Sequence, residues 1–238
     1  MTTRTIREGR QPVCRRRSLL RAWVAAPLRL VGDLASRLIE AVLARLGRYR
    51  TLRAEECADA RFVFGHSIDL RRVRVALPGP LHRLLFALQR LLQGGRRARP
   101  FVTGWLVHVP SGAVLERAVF IHELTHVWQA QVYGPRYMWQ ALHAQWLGAG
   151  YDYTGYDEAG TSGLRGARAC DAAGEGGQEA LRRRSFFSFN REQQAQIVMH
   201  YFVRRVLRGE SEDACAAWAA HVRTVRETEV MRVQNAHA

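Results

Sequence analysis

The feature of this sequence that most constrains its fold is a group of ionisable residues inside an apolar stretch. His122, Glu123 and His126 lie in the run VFIHELTHVW, where every other residue except Thr125 is apolar. The run and its flanks predict one helix from about Leu115 to Tyr133, ended by the Gly-Pro pair that follows. Burying such side chains without partners costs free energy, so a buried helix of this kind needs a shared partner for them.

The spacing of the two histidines indicates what that partner is. Residues four apart on a helix project from one face, so His122 and His126 can bind the same metal ion. Glu123 is placed to act as general base toward a water activated by the metal, as in zinc peptidases with the pattern His-Glu-x-x-His. The sequence therefore predicts Zn2+ as cofactor, Glu123 as the catalytic residue and a peptide or protein as substrate. The competing interpretation is an ordinary helix whose polar side chains are exposed or pair with arginines.

A catalytic zinc site needs a third protein ligand and an open fourth position. We predict Glu192 as this ligand, because Asn190 is a suitable N-cap and places Glu192 in the first turn of a helix. The helix dipole favours an acidic residue there without any metal, so other ligands stay open. They are His143, Asp157, Glu158 and His200. The donor for the developing oxyanion stays open among Tyr151, Tyr153, Tyr156 and His200.

The charge of the chain bears on its partners. The formal net charge is +15, from 36 basic and 21 acidic residues, and every basic residue is arginine. Such a charge attracts nucleic acid, anionic lipid or acidic partners at long range. The arginine runs lack the interleaved aromatic residues that stack on bases, so we expect no specific nucleic-acid ligand. The four cysteines show none of the short spacings of zinc knuckles or redox pairs, which predicts free thiols.

The first fifty residues are predicted to form an appendage to the main domain. Residues 1–17 are a basic arm, and residues 18–47 repeat apolar side chains at helical spacing, as in Leu30, Leu34 and Leu38. Charged residues interrupt every apolar window of the length that a membrane span needs, so neither a signal peptide nor a transmembrane helix is expected. The arginine-rich face of this amphipathic helix is suited to peripheral contact with an anionic membrane.

The chain from residue 51 to 238 is predicted to be one α+β domain that is mainly helical, with a short sheet packed against the motif helix. Strand patterns are confined to two segments, 61–75 and 101–109, and the second is predicted to be a single strand. Residues 155–184 are rich in Gly and Ala and lack periodicity, which predicts a mobile loop. Further helices are expected at 51–60, 81–92, 137–147 and from Asn190 to about Val233, with a break near 209–213.

Four segments of the chain together carry a family resemblance. They are Arg61–Val75, which opens with RFVFG; Arg99–Pro110; Phe120–Gln129, which reads FIHELTHVWQ; and Tyr151–Tyr153 with Phe189–Val198, which contains NREQQAQIV. These segments resemble a bacterial family of zincin-like domains found beside contractile injection and type VI secretion components, including Vgr-related proteins. The resemblance extends from about Thr51 to Phe202.

The resemblance implies a zincin-like fold and a metallopeptidase of the gluzincin type, in which His122, His126 and Glu192 hold zinc. It also implies secretion-system components as partners, and a cytoplasmic location before export by such a system. The alternative that it leaves open is a zinc-binding module or effector without catalysis. The oligomeric state is not predicted.

Overall fold

The computed structural model describes residues 34–92, 94–95, 97–134, 137, 153 and 174–236. The helices of this part of the chain are α1 (34–46), α2 (Ala54–Phe64), α3 (Pro80–Leu92), α4 (Arg117–Tyr133), α5 (Gly174–Arg183), α6 (Arg191–Phe202) and α7 (Ala216–Ala236). Strands β1 (Tyr49–Arg50), β2 (Arg74–Ala76), β3 (Phe101–Thr103) and β4 (Leu106–His108) form one sheet. The fold is α+β and mainly helical, as the sequence predicted.

The sheet has the strand order β1-β2-β4-β3. Strands β1 and β2 are antiparallel, with Tyr49 opposite Ala76. Strands β2 and β4 are parallel, and β4 and β3 are antiparallel with Val107 opposite Val102. The parallel pair in the middle requires a crossover, which α3 and the β3 strand provide.

The prediction of a single strand over 101–109 is wrong. The chain reverses at Gly104 and Trp105, so that β3 and β4 form a tight hairpin. Gly104 has a φ of +57°, a conformation that side-chain-bearing residues rarely adopt. The carboxylate of Glu40 in α1 fills the space where a Cβ of residue 104 would stand, and it accepts a hydrogen bond of 3.1 Å from the Trp105 N–H. A residue far away in sequence therefore stabilises this turn.

The strand pattern predicted from residue 61 is also wrong over its first part. Residues Phe62–Phe64 continue α2, because Val63 and Phe64 are fully buried on its inner face. The helix ends at Gly65, which has a φ of +59° and whose N–H donates to the Arg61 carbonyl. The end of the predicted segment does form a strand, which comprises Arg74 and Val75 and continues to Ala76.

The predicted loop over 155–184 is corrected at its C-terminal end, where α5 is helical. Leu181 on α5 is buried, and its carbonyl accepts a hydrogen bond of 2.9 Å from His221 Nε2 on α7. Glu179 and Arg183 add an ion pair of 2.7 Å at helical spacing. Packing on α7 therefore outweighs the poor helix propensity of the Gly-rich sequence. Three regions with sequence predictions lie outside the described residues: the remainder of that loop, the helix predicted at 137–147 (except Tyr137) and residues 1–33.

Helices cover both faces of the sheet. Val75, Val102 and Val107 pack into one apolar core with α4. Because successive strand residues point to opposite faces, Phe101 and His108 face the other way, where they meet Phe86 and His82 of α3. The α4 helix is consequently enclosed, with Phe120 to Gln129 all buried. Across the described residues, none of the helices combines the length and apolar character needed to cross a membrane.

Two histidines are buried between α3 and the sheet. The rings of His82 and His108 lie 5.4 Å apart, and His108 Nε2 is 2.8 Å from Thr103 Oγ1. Within the described residues, neither ring nitrogen of His82 has a hydrogen-bond partner. Burial lowers the pKa of both imidazoles, and for His108 burial and the neighbouring His82 lower it to about 3. His108 is therefore neutral in the folded protein at moderately acidic pH.

Because of His108, the folded protein should lose stability as the pH falls below about 6.5. Below about pH 6.5 the unfolded chain binds a proton at residue 108, whereas the folded chain does not. The free energy of unfolding therefore decreases by about 1.4 kcal/mol at this site for each unit by which the pH is lowered. In His108→Phe, the loss of unfolding free energy between pH 6.5 and 5 should be smaller than in wild type by about 2 kcal/mol. Urea denaturation at both pH values measures this. The exposed His66→Gln is the control, and parallel pH curves for wild type and His108→Phe would contradict the prediction.

Candidate metal centre

The α4 helix positions the first three candidate residues. It begins after Glu116 and ends at Gly134, as the sequence predicted to within two residues. Leu124, Val127 and Trp128 have no exposed surface and fix the orientation of the helix in the core. The rings of the two histidines at positions 122 and 126 consequently lie side by side, with centroids 5.0 Å apart and planes at 81°.

The α6 helix brings Glu192 to the same point. Asn190 caps the helix, since its Oδ1 accepts a hydrogen bond of 2.9 Å from the Gln193 N–H while Gln193 Oε1 accepts one of 3.1 Å from the Asn190 N–H. Glu192 therefore lies in the first turn, where the helix dipole favours its negative charge. Its side chain is completely buried against α4.

The structure places His122, His126 and Glu192 in one buried group, with their candidate ligand atoms all within 4.8 Å of one another. His122 Nε2 lies 3.3 Å from Glu192 Oε2, and His126 Nε2 lies 3.5 Å from Glu192 Oε1. Charge-assisted hydrogen bonds are shorter, about 2.7–2.9 Å. Ligands arranged tetrahedrally at zinc-ligand distances of about 2.0–2.1 Å are separated by about 3.3 Å. The two observed separations, which run to different oxygens of Glu192, are close to this spacing and are compatible with a shared zinc ion.

The electrostatics of the group also favour a cation. Burial opposes ionisation of Glu192, but His126 and His122 outweigh it and hold the pKa of the carboxyl well below its ordinary value. Burial by itself would lower the pKa of His126, but Glu192, with Glu123 and Gln129 contributing, raises it to about 9. Positive charge is therefore stabilised between these side chains, either as a proton on His126 or as a metal ion that replaces it.

Gln129 fixes the orientation of His126. Its Nε2 donates to the Arg191 carbonyl at 2.8 Å and to Gln194 Oε1 at 3.1 Å, which leaves its Oε1 as the acceptor of a 2.8 Å bond from His126 Nδ1. The proton on Nδ1 is thereby assigned, and Nε2 is the nitrogen that faces Glu192. Histidine ligands of metals are commonly held in this way by a second acceptor.

Removing this acceptor should weaken metal binding without removing a ligand. In Gln129→Leu we expect zinc affinity to fall by about 10- to 100-fold, because His126 loses the bond that selects its tautomer. Competition with a chromogenic zinc chelator measures the change. Gln131→Leu is the matched control, since Gln131 lies on the same helix and its side chain donates a hydrogen bond of 3.3 Å within that helix, to the Val127 carbonyl. Equal affinities for the two variants would show that Gln129 does not position His126.

Glu123 lies beside this group without belonging to the set of ligand atoms. Its side chain is buried, and its charge contributes to raising the pKa values of both His126 and Tyr137. The Glu123 carboxylate therefore lies in the protein interior, next to the candidate metal ligands. Tyr137 packs near His126, with ring centroids 6.4 Å apart, and donates a hydrogen bond of 2.7 Å to the Val102 carbonyl of β3.

His200 and Tyr153, two of the open candidates, form a separate buried pair. Tyr153 Oη lies 2.7 Å from His200 Nδ1 and accepts a hydrogen bond of 2.9 Å from Trp218 Nε1. The other ring nitrogen of His200 lies 2.9 Å from Gln196 Nε2. Burial, with Arg204 next in importance, lowers the pKa of His200 to about 3. This histidine is therefore neutral and engaged with α6 and α7 side chains. The remaining candidates lie outside the described residues: His143, Tyr151, Tyr156, Asp157 and Glu158.

Sequence reasoning did not identify Gln129 or Tyr137. The signal for Gln129 is its spacing of three from His126, which places the two side chains on one helix face. No local pattern indicates Tyr137, because its contacts to β3 and to the site depend on the tertiary fold.

Comparison with models of known protein families, with curated proteins and with solved structures finds no match. The resemblance to the zincin-like family therefore stays a prediction, and the case for a metal rests on the geometry of the site.

Proposed function

We propose that this protein is a zinc-dependent metallohydrolase with a zincin-like site of the gluzincin type, acting on peptide bonds. The observation that carries the proposal is the convergence of two histidines and one carboxylate, all buried, whose candidate ligand atoms lie within 4.8 Å of one another. His122, His126 and Glu192 would hold the ion. When bound, zinc supplies a lowered pKa for water and polarisation of a substrate carbonyl.

The side chains of the chain itself have distinct roles in this proposal. Gln129 accepts the Nδ1–H of His126, which leaves Nε2 facing Glu192, where the ion would be held. Glu123 is the general base, which takes a proton from the attacking water and delivers it to the leaving amine. Its burial beside the candidate ligands and the action of its charge on His126 support this role.

The second candidate is a zinc-stabilised module without catalysis, which assembles with components of a secretion or injection system. One observation favours it: His122 and Glu192 have no exposed surface, and His126 is only 6% exposed. Structural zinc sites are typically closed, whereas catalytic sites keep a position open to substrate. Either candidate is compatible with secretion-system partners and with a cytoplasmic location before export. The proposed partners and location rest on the family resemblance alone.

The test is cleavage of a mixed peptide library by protein loaded with zinc and by protein stripped with a chelator. We expect cleavage by the loaded protein, loss of cleavage after stripping, and recovery when zinc is restored. Protein that carries zinc and gains thermal stability from it, yet cleaves no peptide, would support the second candidate. Cleavage that survives complete zinc removal would contradict both.

A further inference from the structure

Two helices of the structure expose apolar residues in stripes. On α1, Leu34, Leu38, Val42 and Leu46 recur at intervals of four and are 44–69% exposed. On α3, Leu84, Leu88, Leu91 and Leu92 are 50–76% exposed. We call these eight residues the leucine surface. Helices of globular proteins normally turn such a stripe toward the core, whereas here both stripes are exposed in the part of the chain that the structure describes.

The leucine surface lies on the outer side of helices whose inner sides are already packed. On α1, Leu43 is buried and its carbonyl accepts a hydrogen bond of 3.1 Å from the Tyr49 hydroxyl. On α3, His82 is buried, and its ring contacts the Tyr49 ring at 5.3 Å. Both helices thus contact Tyr49 through their inner sides. The exposed leucines lie on the outer side of each helix.

The charge around these leucines has one sign. Arg37 and Arg45 on α1, and Arg83 and Arg90 on α3, are all exposed. The α3 segment contains no acidic residue, and the one acidic residue in 34–46, Glu40, accepts the Trp105 N–H at the β3–β4 turn. The leucine surface is consequently apolar with a cationic border.

We propose that the leucine surface docks on an anionic membrane surface. Leucines enter the boundary between headgroups and acyl chains, while arginines bind lipid phosphates. A second copy of the chain is a poorer occupant, because pairing two such surfaces would bring arginines against arginines. The inference does not depend on the metal centre, since none of the eight residues belongs to the group of candidate ligands.

The test uses the full-length protein and sedimentation with vesicles. Wild type should bind vesicles containing one third phosphatidylglycerol in phosphatidylcholine, and bind less as salt is raised. The triple variant Leu84→Ser, Leu88→Ser, Leu91→Ser should bind at least about tenfold more weakly, because leucine burial contributes most of the apolar term. The control is Val114→Ser, at a residue that is 88% exposed outside the leucine surface. Circular dichroism and zinc content report folding and the metal site separately.

Three outcomes would overturn the proposal. The first is wild type that ignores anionic vesicles. The second is equal binding by the triple variant and the control, which would assign lipid binding to another basic segment such as residues 1–17. The third is a wild-type oligomer that the triple variant converts to monomer without any lipid binding, which would make a second copy the occupant.

Discussion

Glu123→Gln is expected to reduce peptide hydrolysis by about 100- to 10,000-fold, the usual contribution of a general base. Glutamine keeps the size of the side chain but cannot accept a proton from water at neutral pH. The metal ligands are untouched, so zinc content should stay at about one ion per chain. The measurement is kcat/KM on a peptide that the wild type cleaves, together with zinc analysis of the same preparations.

The matched control for this experiment is Glu227→Gln, because Glu227 is exposed on α7. It should retain wild-type activity and zinc. If Glu123→Gln hydrolyses peptide at the wild-type rate, Glu123 is not the base. If Glu123→Gln loses zinc together with activity, Glu123 is needed to hold the metal, and the loss of activity is no evidence that it acts as a base.

Glu192→Gln is expected to abolish tight zinc binding and also to destabilise the metal-free protein. In the metal-free wild type, Glu192 and His126 stabilise each other's charged forms, and the pKa of His126 is about 9. Breaking a buried ion pair by removing one partner costs about 3–5 kcal/mol in general. Urea denaturation in the presence of a chelator should show a loss of about this size at pH 7.

The pH dependence of this loss has a definite sign. The raised pKa of His126 stabilises the folded metal-free protein fully below about pH 6.5, and this contribution disappears as the pH rises through about 9. The lowered pKa of Glu192 contributes above about pH 4.5 and is lost as the pH falls further. The difference between wild type and Glu192→Gln should therefore shrink from pH 7 to 10.

The surface variant Glu179→Gln controls for the removal of one negative charge. Glu179 pairs with Arg183 at 2.7 Å, but both side chains are more than half exposed. Exposed pairs contribute at most about 0.5–1 kcal/mol, so this variant should differ little from wild type. Equal losses in the two glutamate variants would contradict the buried ion pair.

Much of the candidate site follows from short-range sequence signals. The spacing of His122 and His126 places them on one face of a helix, and the Asn190 cap places Glu192 at a helix start. Each of these signals needs only a few neighbouring residues. Their meeting does not follow from local sequence, because it depends on α6 packing along α4. The structure brings the three side chains together, while the identity of the ion stays a prediction.

The features that sequence reasoning missed depend on distant residues. The β3–β4 turn needs a positive φ at Gly104 and the carboxylate of Glu40. This carboxylate accepts a hydrogen bond from the N–H of Trp105, which is 65 residues away in the sequence. Strand β1 has only two residues, and it is a strand because β2 pairs with it. The α5 helix forms in a Gly-rich segment because Leu181 packs against α7. No local periodicity in the sequence indicates any of these three contacts.

The central claim is most directly tested by zinc content per chain after dialysis against a mild chelator, measured by elemental analysis. Wild type and the exposed control His66→Ala should each retain about one zinc, and His126→Ala should retain almost none. Circular dichroism should show that all three are folded. Correctly folded wild type without zinc, or equal zinc in all three proteins, would contradict a metal site formed by His122, His126 and Glu192.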